Sequence, residues 1–191
     1  HQHDWPGEFT YCPHCAAPLT GERRGGKQRK VCPQCGFVHF RNPGVGAAVV
    51  IWDERDRILL VKRAPGATQA GKWSIPAGYV DYGEEVRVAA ARELGEETGL
   101  IAEVGEVVWV ASNFHDPAKL TVGIWFAGRV TGGVLAAGDD ADDAGFFLFQ
   151  YLAGQHQRPD AGVDEQVLGV AAVVLPFARG DLLRDQCVEG F

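Results

Sequence analysis

Val45 to Trp52 is a nearly continuous apolar run, and Ile58-Leu59-Leu60-Val61 forms a second inside Arg57 to Arg63. The polar Asp53-Glu54-Arg55-Asp56 between them predicts a turn, so the two runs read as a hairpin with a buried face. Trp73-Ser74-Ile75-Pro76 predicts a shorter extended piece that ends in Ala77-Gly78. Glu84 to Thr98 combines helical spacing with strong helix formers, and Gly99 stands where a C-terminal cap belongs. Further strands are expected at Glu106 to Ser112, Leu120 to Val130 and Gly145 to Tyr151, with Asp139-Asp140-Ala141-Asp142-Asp143 as an acidic turn between the last two. Val167 to Leu175 fits helix or strand, because a short apolar run does not decide between them.

The first forty residues are different in kind. They are rich in Cys, Gly, Pro and basic residues, carry little apolar periodicity, and read as loops and short hairpins. Asn42-Pro43-Gly44 then marks a boundary, since proline and glycine both interrupt regular structure. The expected organisation is a small module over residues 1–41, a main domain over 42–153, and a C-terminal segment over 154–191 whose structure the pattern leaves open.

Length and composition change this picture little. The chain has 191 residues, 46% of them hydrophobic and 23% charged, which suits one ordinary globular domain with a small appendage. No apolar run approaches the roughly 20 residues that span a bilayer, and the first residues lack the basic and apolar regions of a secretory signal. No membrane association and a cytoplasmic protein are therefore expected. The formal net charge of −7 argues against broad, sequence-blind nucleic-acid binding, which relies on lysine and arginine. It does not argue against a phosphate-bearing substrate, because a divalent cation can supply the missing positive charge. Arg23, Arg24, Lys27, Arg29 and Lys30 form a local basic exception that reads first as a solvated loop.

Two motifs carry chemistry. Cys12-Pro13-His14-Cys15 and Cys32-Pro33-Gln34-Cys35 are two Cys-x-x-Cys knuckles separated by sixteen residues. Each knuckle lets two thiolates converge on one ion, and the pair makes a closed four-sulfur zinc site with zinc-ribbon spacing. Such a site is structural, because four sulfurs leave no open position for water or substrate. Disulfides would require an oxidising compartment, and one redox Cys-x-x-Cys would leave the second pair unexplained. Cys187 is left over and reads as an ordinary thiol.

The second motif begins at Gly78. Five residues separate it from Glu84, and seven more lead to Arg92-Glu93-Leu94, followed by Gly95, Glu96-Glu97, Thr98 and Gly99-Leu100. At about 100° per residue, Glu93 and Glu97 lie within roughly 40° of each other, with Glu96 on the adjoining flank. Val86, Ala89 and Ala90 fall on the same stripe, so the glutamates extend a face that its neighbours bury. A solvated acidic face would lie opposite the apolar stripe. Like charges four apart repel, and carboxylates near a core are costly unless paired. Clustered hard oxygens are what Mg²⁺ or Mn²⁺ binds. Arg92 cannot ligate a cation; it is expected to pair with Glu84 or a neighbouring glutamate and fix the helix against the loop before it.

Every specified position from Gly78 to Leu100 matches the Nudix signature, and the chain resembles Nudix hydrolases on that ground. The resemblance implies an α/β/α sandwich with a mixed sheet, here preceded by a small zinc ribbon. It implies attack of water on a diphosphate bridge to give two phosphorylated products. By the same carry-over Glu93, Glu96 and Glu97 bind the catalytic Mg²⁺ or Mn²⁺, the Gly78 carbonyl completes the metal shell, and the base is Glu93 or an acidic residue outside the motif. A zinc ribbon ahead of such a domain resembles the arrangement in NADH pyrophosphatases. Those enzymes carry Ser-Gln-Pro-Trp-Pro-Phe-Pro after the motif, where this chain reads Val110-Ala111-Ser112-Asn113-Phe114-His115-Asp116-Pro117.

The expected substrate is therefore an ADP-containing dinucleotide or nucleotide sugar such as FAD, ADP-ribose or NADH. Nucleoside triphosphates and nucleotide-capped RNA are the alternatives within the class, and a non-catalytic nucleotide-binding regulator is the alternative outside it. Phe114 and His115 are candidate substrate contacts. Trp125 and Phe126 could also offer a ring to adenine, but they should face opposite sides of one strand and read more readily as core. Homodimers are common in the family.

Overall fold

A computed structural model of the chain describes residues 9–67, 69–113, 119–138 and 141–148. Phe114, His115, Asp116, Pro117, Cys187, the Val167 to Leu175 segment and residues 154–191 lie outside this set. The chain divides into two compact units, residues 1–44 with 113–121, and residues 45–112 with 122–191.

The first unit is built on three antiparallel strands, β1 (Thr20–Arg24), β2 (Lys27–Val31) and β3 (Val38–His39). Gly25-Gly26 turns β1 into β2, with Arg24 opposite Lys27 and Glu22 opposite Arg29. The strands are mostly exposed, and among the described residues the buried apolar side chains are few: Cys12, Leu19, Val31 and Cys32. So small an apolar core cannot by itself offset the conformational entropy of ordering the segment.

Apart from the end residues Gly44, Asn113 and Thr121, the second unit contains β4 (Gly44–Ile51), β5 (Arg57–Arg63), β6 (Trp73–Ser74), β7 (Ala77–Tyr79), α1 (Val86–Thr98), β8 (Leu100–Asn113), β9 (Thr121–Gly133) and β10 (Ala141–Leu148). One sheet runs β7-β4-β9-β8 and the other β10-β5-β6. Side chains alternate faces along each strand, which sorts the apolar runs into two layers. Ala48, Val50, Ile58, Leu60, Ile75 and Trp125 form one core. Ala47, Val49, Ile51, Leu59 and Phe126 form the other, with Ala89, Ala90 and Leu94 of α1. The runs read as continuously apolar because both faces of these strands are covered. Trp125 and Phe126 fall on opposite sides, as alternation requires, and both are buried core residues.

Three expectations need correction. The runs of β4 and β5 share an isolated bridge, Trp52–Ile58, beside the Asp53 N–H on the Arg57 carbonyl, and belong to separate sheets rather than forming a hairpin ladder. With both faces apolar, each strand can enter a different sheet; periodicity cannot choose a partner. Ala141 to Asp143 open β10 against Arg63 and Lys62 instead of forming a turn, through a register shift between Ala141 and Asp143. The helix begins at Val86, not Glu84, because the Glu85 carboxylate caps the Arg87 and Val88 N–H groups.

The far end of α1 is fixed by backbone. Gly99 adopts φ 68° and donates its N–H to the Gly95 carbonyl, a conformation glycine takes without steric penalty. A Cβ there would also stand 2.7 Å from the Val134 carbonyl oxygen. The Ala136 and Gly138 N–H groups then satisfy the Thr98 and Glu97 carbonyls, so the last turn of the helix is tied down where its glutamates lie.

Candidate active site and metal centre

The glutamate site is assembled by α1 and the turn through β7 that precedes it. Antiparallel pairing sets Gly78 opposite Ala47 and Ala77 opposite Ala48. The Ala77 N–H then donates to Glu97 Oε2 at 3.0 Å. Glu97 is only 8% exposed, one of few buried polar groups among the described residues. A carboxylate so placed is tolerated because it is hydrogen-bonded.

Gly78 lies directly over Glu93. A Cβ added at Gly78 would sit 2.1 Å from the Glu93 carboxyl carbon and 2.2 Å from both its oxygens. The glycine is needed here for space, because the carboxylate occupies the volume that any side chain would fill.

Arg92 binds the cluster together. Its Nε and Nη2 donate to the two oxygens of Glu84 at 2.9 and 3.0 Å, a two-pronged pair. Nη2 also donates to the Tyr79 carbonyl at 3.1 Å, and Nη1 donates to Glu93 at 2.8 Å and to Glu96 at 3.0 Å. The Glu84 pair, followed by Glu93, pushes the guanidinium pKa further up. In turn Arg92, then the Asp81 N–H, holds the Glu84 carboxyl below its ordinary value. Arg92 thus locks the loop before the helix onto the helix itself. Glu93 and Glu96 both accept from Nη1, so these two carboxylates already converge on one positive charge.

Carboxylate oxygens are the donors that hard divalent cations take. The Glu93 carboxylate fills the space that Gly78 leaves, Glu97 reaches the Ala77 N–H from the same helix, and Glu96 shares the Arg92 guanidinium with Glu93. Glu84 is fully engaged elsewhere.

In the other unit, the Sγ atoms of Cys12, Cys15, Cys32 and Cys35 all lie within 4.8 Å of one another, an arrangement that could hold a metal ion. The two knuckles repeat one turn. Cys12 N–H donates to Ala17 O and Ala16 N–H to Cys12 O, as Cys32 N–H donates to Phe37 O and Gly36 N–H to Cys32 O. His14 N–H and Cys35 N–H point at Cys12 Sγ and Cys32 Sγ, each at 3.4 Å. The residue after each knuckle has positive φ, 77° at Gly36 and 59° at Ala16. Glycine signals this turn at one knuckle; at the other, alanine is held there by the surrounding hydrogen bonds.

The thiols respond to each other. The Cys35 N–H, ahead of the opposing effect of burial, lowers Cys32 to about 6. Against the lowering effect of the Phe37 N–H, the Cys12 thiol, burial and the other two thiols push Cys35 up to about 12. Cys15 is also raised, although the Ala17 N–H, its largest single influence, works the other way. Four thiolates cannot share so small a volume without a cation.

Sequence reasoning did not find the Ala77 N–H or the Tyr79 carbonyl. Neither could be found from residue type, because every residue carries the same backbone groups. It also placed Glu85 inside the helix, although a carboxylate one residue before an apolar helical stripe is a recognisable cap signal. The described residues contain no helix long and apolar enough to cross a membrane.

The fold and this site define an α/β protein whose helix carries a carboxylate cluster behind a glycine-containing turn, with a separate four-cysteine centre. Residues 42–167 match the NUDIX domain family. The chain is 39% identical over 109 residues to an ADP-ribose pyrophosphatase of Methanocaldococcus jannaschii, covering 56% of this chain and 63% of that protein. It is 30% identical over 150 residues to the NAD-capped RNA hydrolase NudC of Stutzerimonas stutzeri, covering 78% of this chain and 51% of that one. The chain thus spans about half to two thirds of these relatives' own length. A NUDIX hydrolase crystal structure from Nitrosomonas europaea superposes with a TM-score of 0.72 at 25% identity, covering 91% of this chain and 93% of that one. The chain belongs to the Nudix domain family.

Proposed function

We propose that this chain is a metal-dependent pyrophosphohydrolase that cleaves the diphosphate bridge between an ADP moiety and a second group. The observation that carries the reading is the approach of Gly78 to Glu93, with Glu97 anchored beside it on the Ala77 N–H. Glu93, Glu96 and Glu97 would hold Mg²⁺ or Mn²⁺, and the Gly78 carbonyl would add to the set. When bound, such an ion neutralises diphosphate charge and activates a water. The chain's own part is positioning. Arg92 holds Glu93 and Glu96 on one side, the Ala77 N–H holds Glu97, and Glu84 fixes Arg92. Preorganisation of this kind removes reorientation cost from the reacting state.

The substrate class draws support from two of the relatives, named an ADP-ribose pyrophosphatase and a NAD-capped RNA hydrolase. Incubation with FAD, ADP-ribose and NADH in Mg²⁺ or Mn²⁺ is expected to yield AMP plus a second phosphorylated product, resolved by anion-exchange chromatography. No turnover of any of them, with one binding tightly, would sink the enzymatic reading in favour of a regulator. A second reading, a diphosphate-linked nucleotide on the end of an RNA, draws support from the NudC relatives and from the basic β1–β2 hairpin.

The four cysteines would hold Zn²⁺ as the structural core of their unit. Ligation requires thiolates, so affinity depends on pH. At pH 7 the raised thiols Cys15 and Cys35 must release protons on binding, while Cys32, at about 6, is already mostly ionised. Below pH 6 Cys32 is protonated too, so binding must displace one proton more than at pH 7. Apparent Zn²⁺ affinity is therefore expected to fall as pH falls, and more steeply below pH 6 than above it. Competition with a chromophoric chelator between pH 5 and 8 measures this; a pH-independent affinity rules thiolate ligation out.

A further inference from the structure

We propose that the exposed face of the β1–β2–β3 sheet binds single-stranded RNA. Between Phe9 and Gly44 lie six basic side chains, Arg23, Arg24, Lys27, Arg29, Lys30 and Arg41, against one acidic, Glu22, in a chain whose net charge is −7. Charge of one sign gathered against the trend of the whole molecule is the footprint of a polyanion site.

Register places three of the six basic groups, Arg24, Lys27 and Arg29, on a common face, while Arg23 and Lys30 project to the other. Residues directly opposite in an antiparallel pair project to the same side, and that side recurs every second residue. Arg24 opposite Lys27 and Glu22 opposite Arg29 therefore share one face. Lys30 opposite His39 puts the next pair, Arg29 and Phe40, back on it. The contact bears this out: the Arg29 guanidinium carbon lies 4.5 Å from the Phe40 ring centroid.

Phe40 is 57% exposed although it is large and apolar. A half-exposed ring stacked on a guanidinium offers a π-surface with a positive charge beside it, which suits a base and its phosphate. Lys27 has no acidic partner among the described residues. The Arg24–Glu22 pair, at 3.0 Å, is exposed on both sides and contributes little, so a phosphate can take the place of Glu22 at small cost. An acidic protein would satisfy the charges and leave the ring unused. The choice of RNA over DNA rests on the pyrophosphohydrolase reading, because RNA chains begin on a nucleotide that keeps its 5′ phosphoanhydride.

The test is fluorescence anisotropy with the full zinc-loaded chain and a 3′-labelled 20-nucleotide oligouridylate, without Mg²⁺ or Mn²⁺ so that nothing turns over. Saturable binding is expected, weakening about twentyfold between 50 and 200 mM salt for roughly three phosphate contacts on a single strand. Phe40→Ala should weaken it about tenfold while Phe40→Trp keeps it, as base stacking predicts. Arg24→Glu combined with Lys27→Glu, both at the exposed hairpin end, should weaken it at least tenfold. The proposal is overturned by absent binding at 50 mM salt, by charge reversal without effect, or by oligothymidylate binding as tightly as RNA. Polyglutamate competing equally well overturns it too. ADP-ribose hydrolysis by the same variants is expected to be unchanged. Hydrolysis without RNA binding defeats only this surface, and RNA binding without hydrolysis defeats only the reading of the glutamate helix.

Discussion

Glu97→Gln is expected to reduce metal-dependent turnover about a thousandfold, or ~4 kcal/mol of transition-state stabilisation, while leaving the protein folded. Glu97 is nine-tenths buried and accepts the Ala77 N–H at 3.0 Å. Glutamine has the same shape, and its amide oxygen can keep that hydrogen bond. What it loses is the charge that a hard divalent ion needs. The stability change should be small or favourable, because a buried charge and its repulsion with Glu93, four residues before it, are both removed. Turnover at fixed substrate and Mn²⁺ binding by calorimetry should fall together while the unfolding midpoint holds or rises. Full activity with unchanged Mn²⁺ affinity would show that Glu97 has no part in holding the ion.

Gly78→Ala is expected to cost about a hundredfold in activity by a different route. The new methyl would sit 2.1 Å from the Glu93 carboxyl carbon, far inside any tolerable contact. The carboxylate ends a flexible side chain while Gly78 is fixed in β7, so Glu93 moves and the strand stays. Losing one preorganised electrostatic group from a reacting site, as when an oxyanion-hole donor is removed, costs roughly 10²–10³ in rate. Gly46→Ala is the control. It lies on β4 opposite Tyr79, and its Cβ would meet the Gly78 carbonyl oxygen at 3.5 Å, an ordinary contact. Near-normal activity is expected there. Equal losses in both variants would mean that the loop tolerates no side chain at all, and the argument from Glu93 would fail.

These expectations rest on features of unequal legibility. The stripe of Val86, Ala89 and Ala90 placed Glu93 and Glu97 against the core before any coordinates, because helical periodicity is a local property. In the structure Ala89, Ala90, Leu94 and Glu97 are all buried on α1. The two Cys-x-x-Cys pairs were legible for the same reason. A knuckle closes within a few residues, and the four Sγ atoms do come together. Phe114 and His115 lie outside the described residues, so the candidate substrate contacts stand where the sequence left them.

Strand pairing was not local. The turn Asp53 to Asp56 formed as the pattern implied, with Asp53 accepting from the N–H groups of Arg55 and Arg57. Yet the strands on either side went to different sheets. Runs apolar on both faces carry no label for their neighbour, and only burial against the whole set of strands and α1 selects it.

The sequence by itself determined the family-defining helix, the identity of its carboxylates, the cysteine centre and the charge contrast between the ribbon and the rest, all written in residue type and short spacing. Tertiary structure decided what those groups can do. It brought the Ala77 N–H to Glu97, set Gly78 over Glu93, gave Arg92 its hold on Glu84, Glu93, Glu96 and the Tyr79 carbonyl, and laid Arg29 on Phe40. Several of these contacts use backbone atoms common to all residues, and all of them depend on where the chain is placed in space.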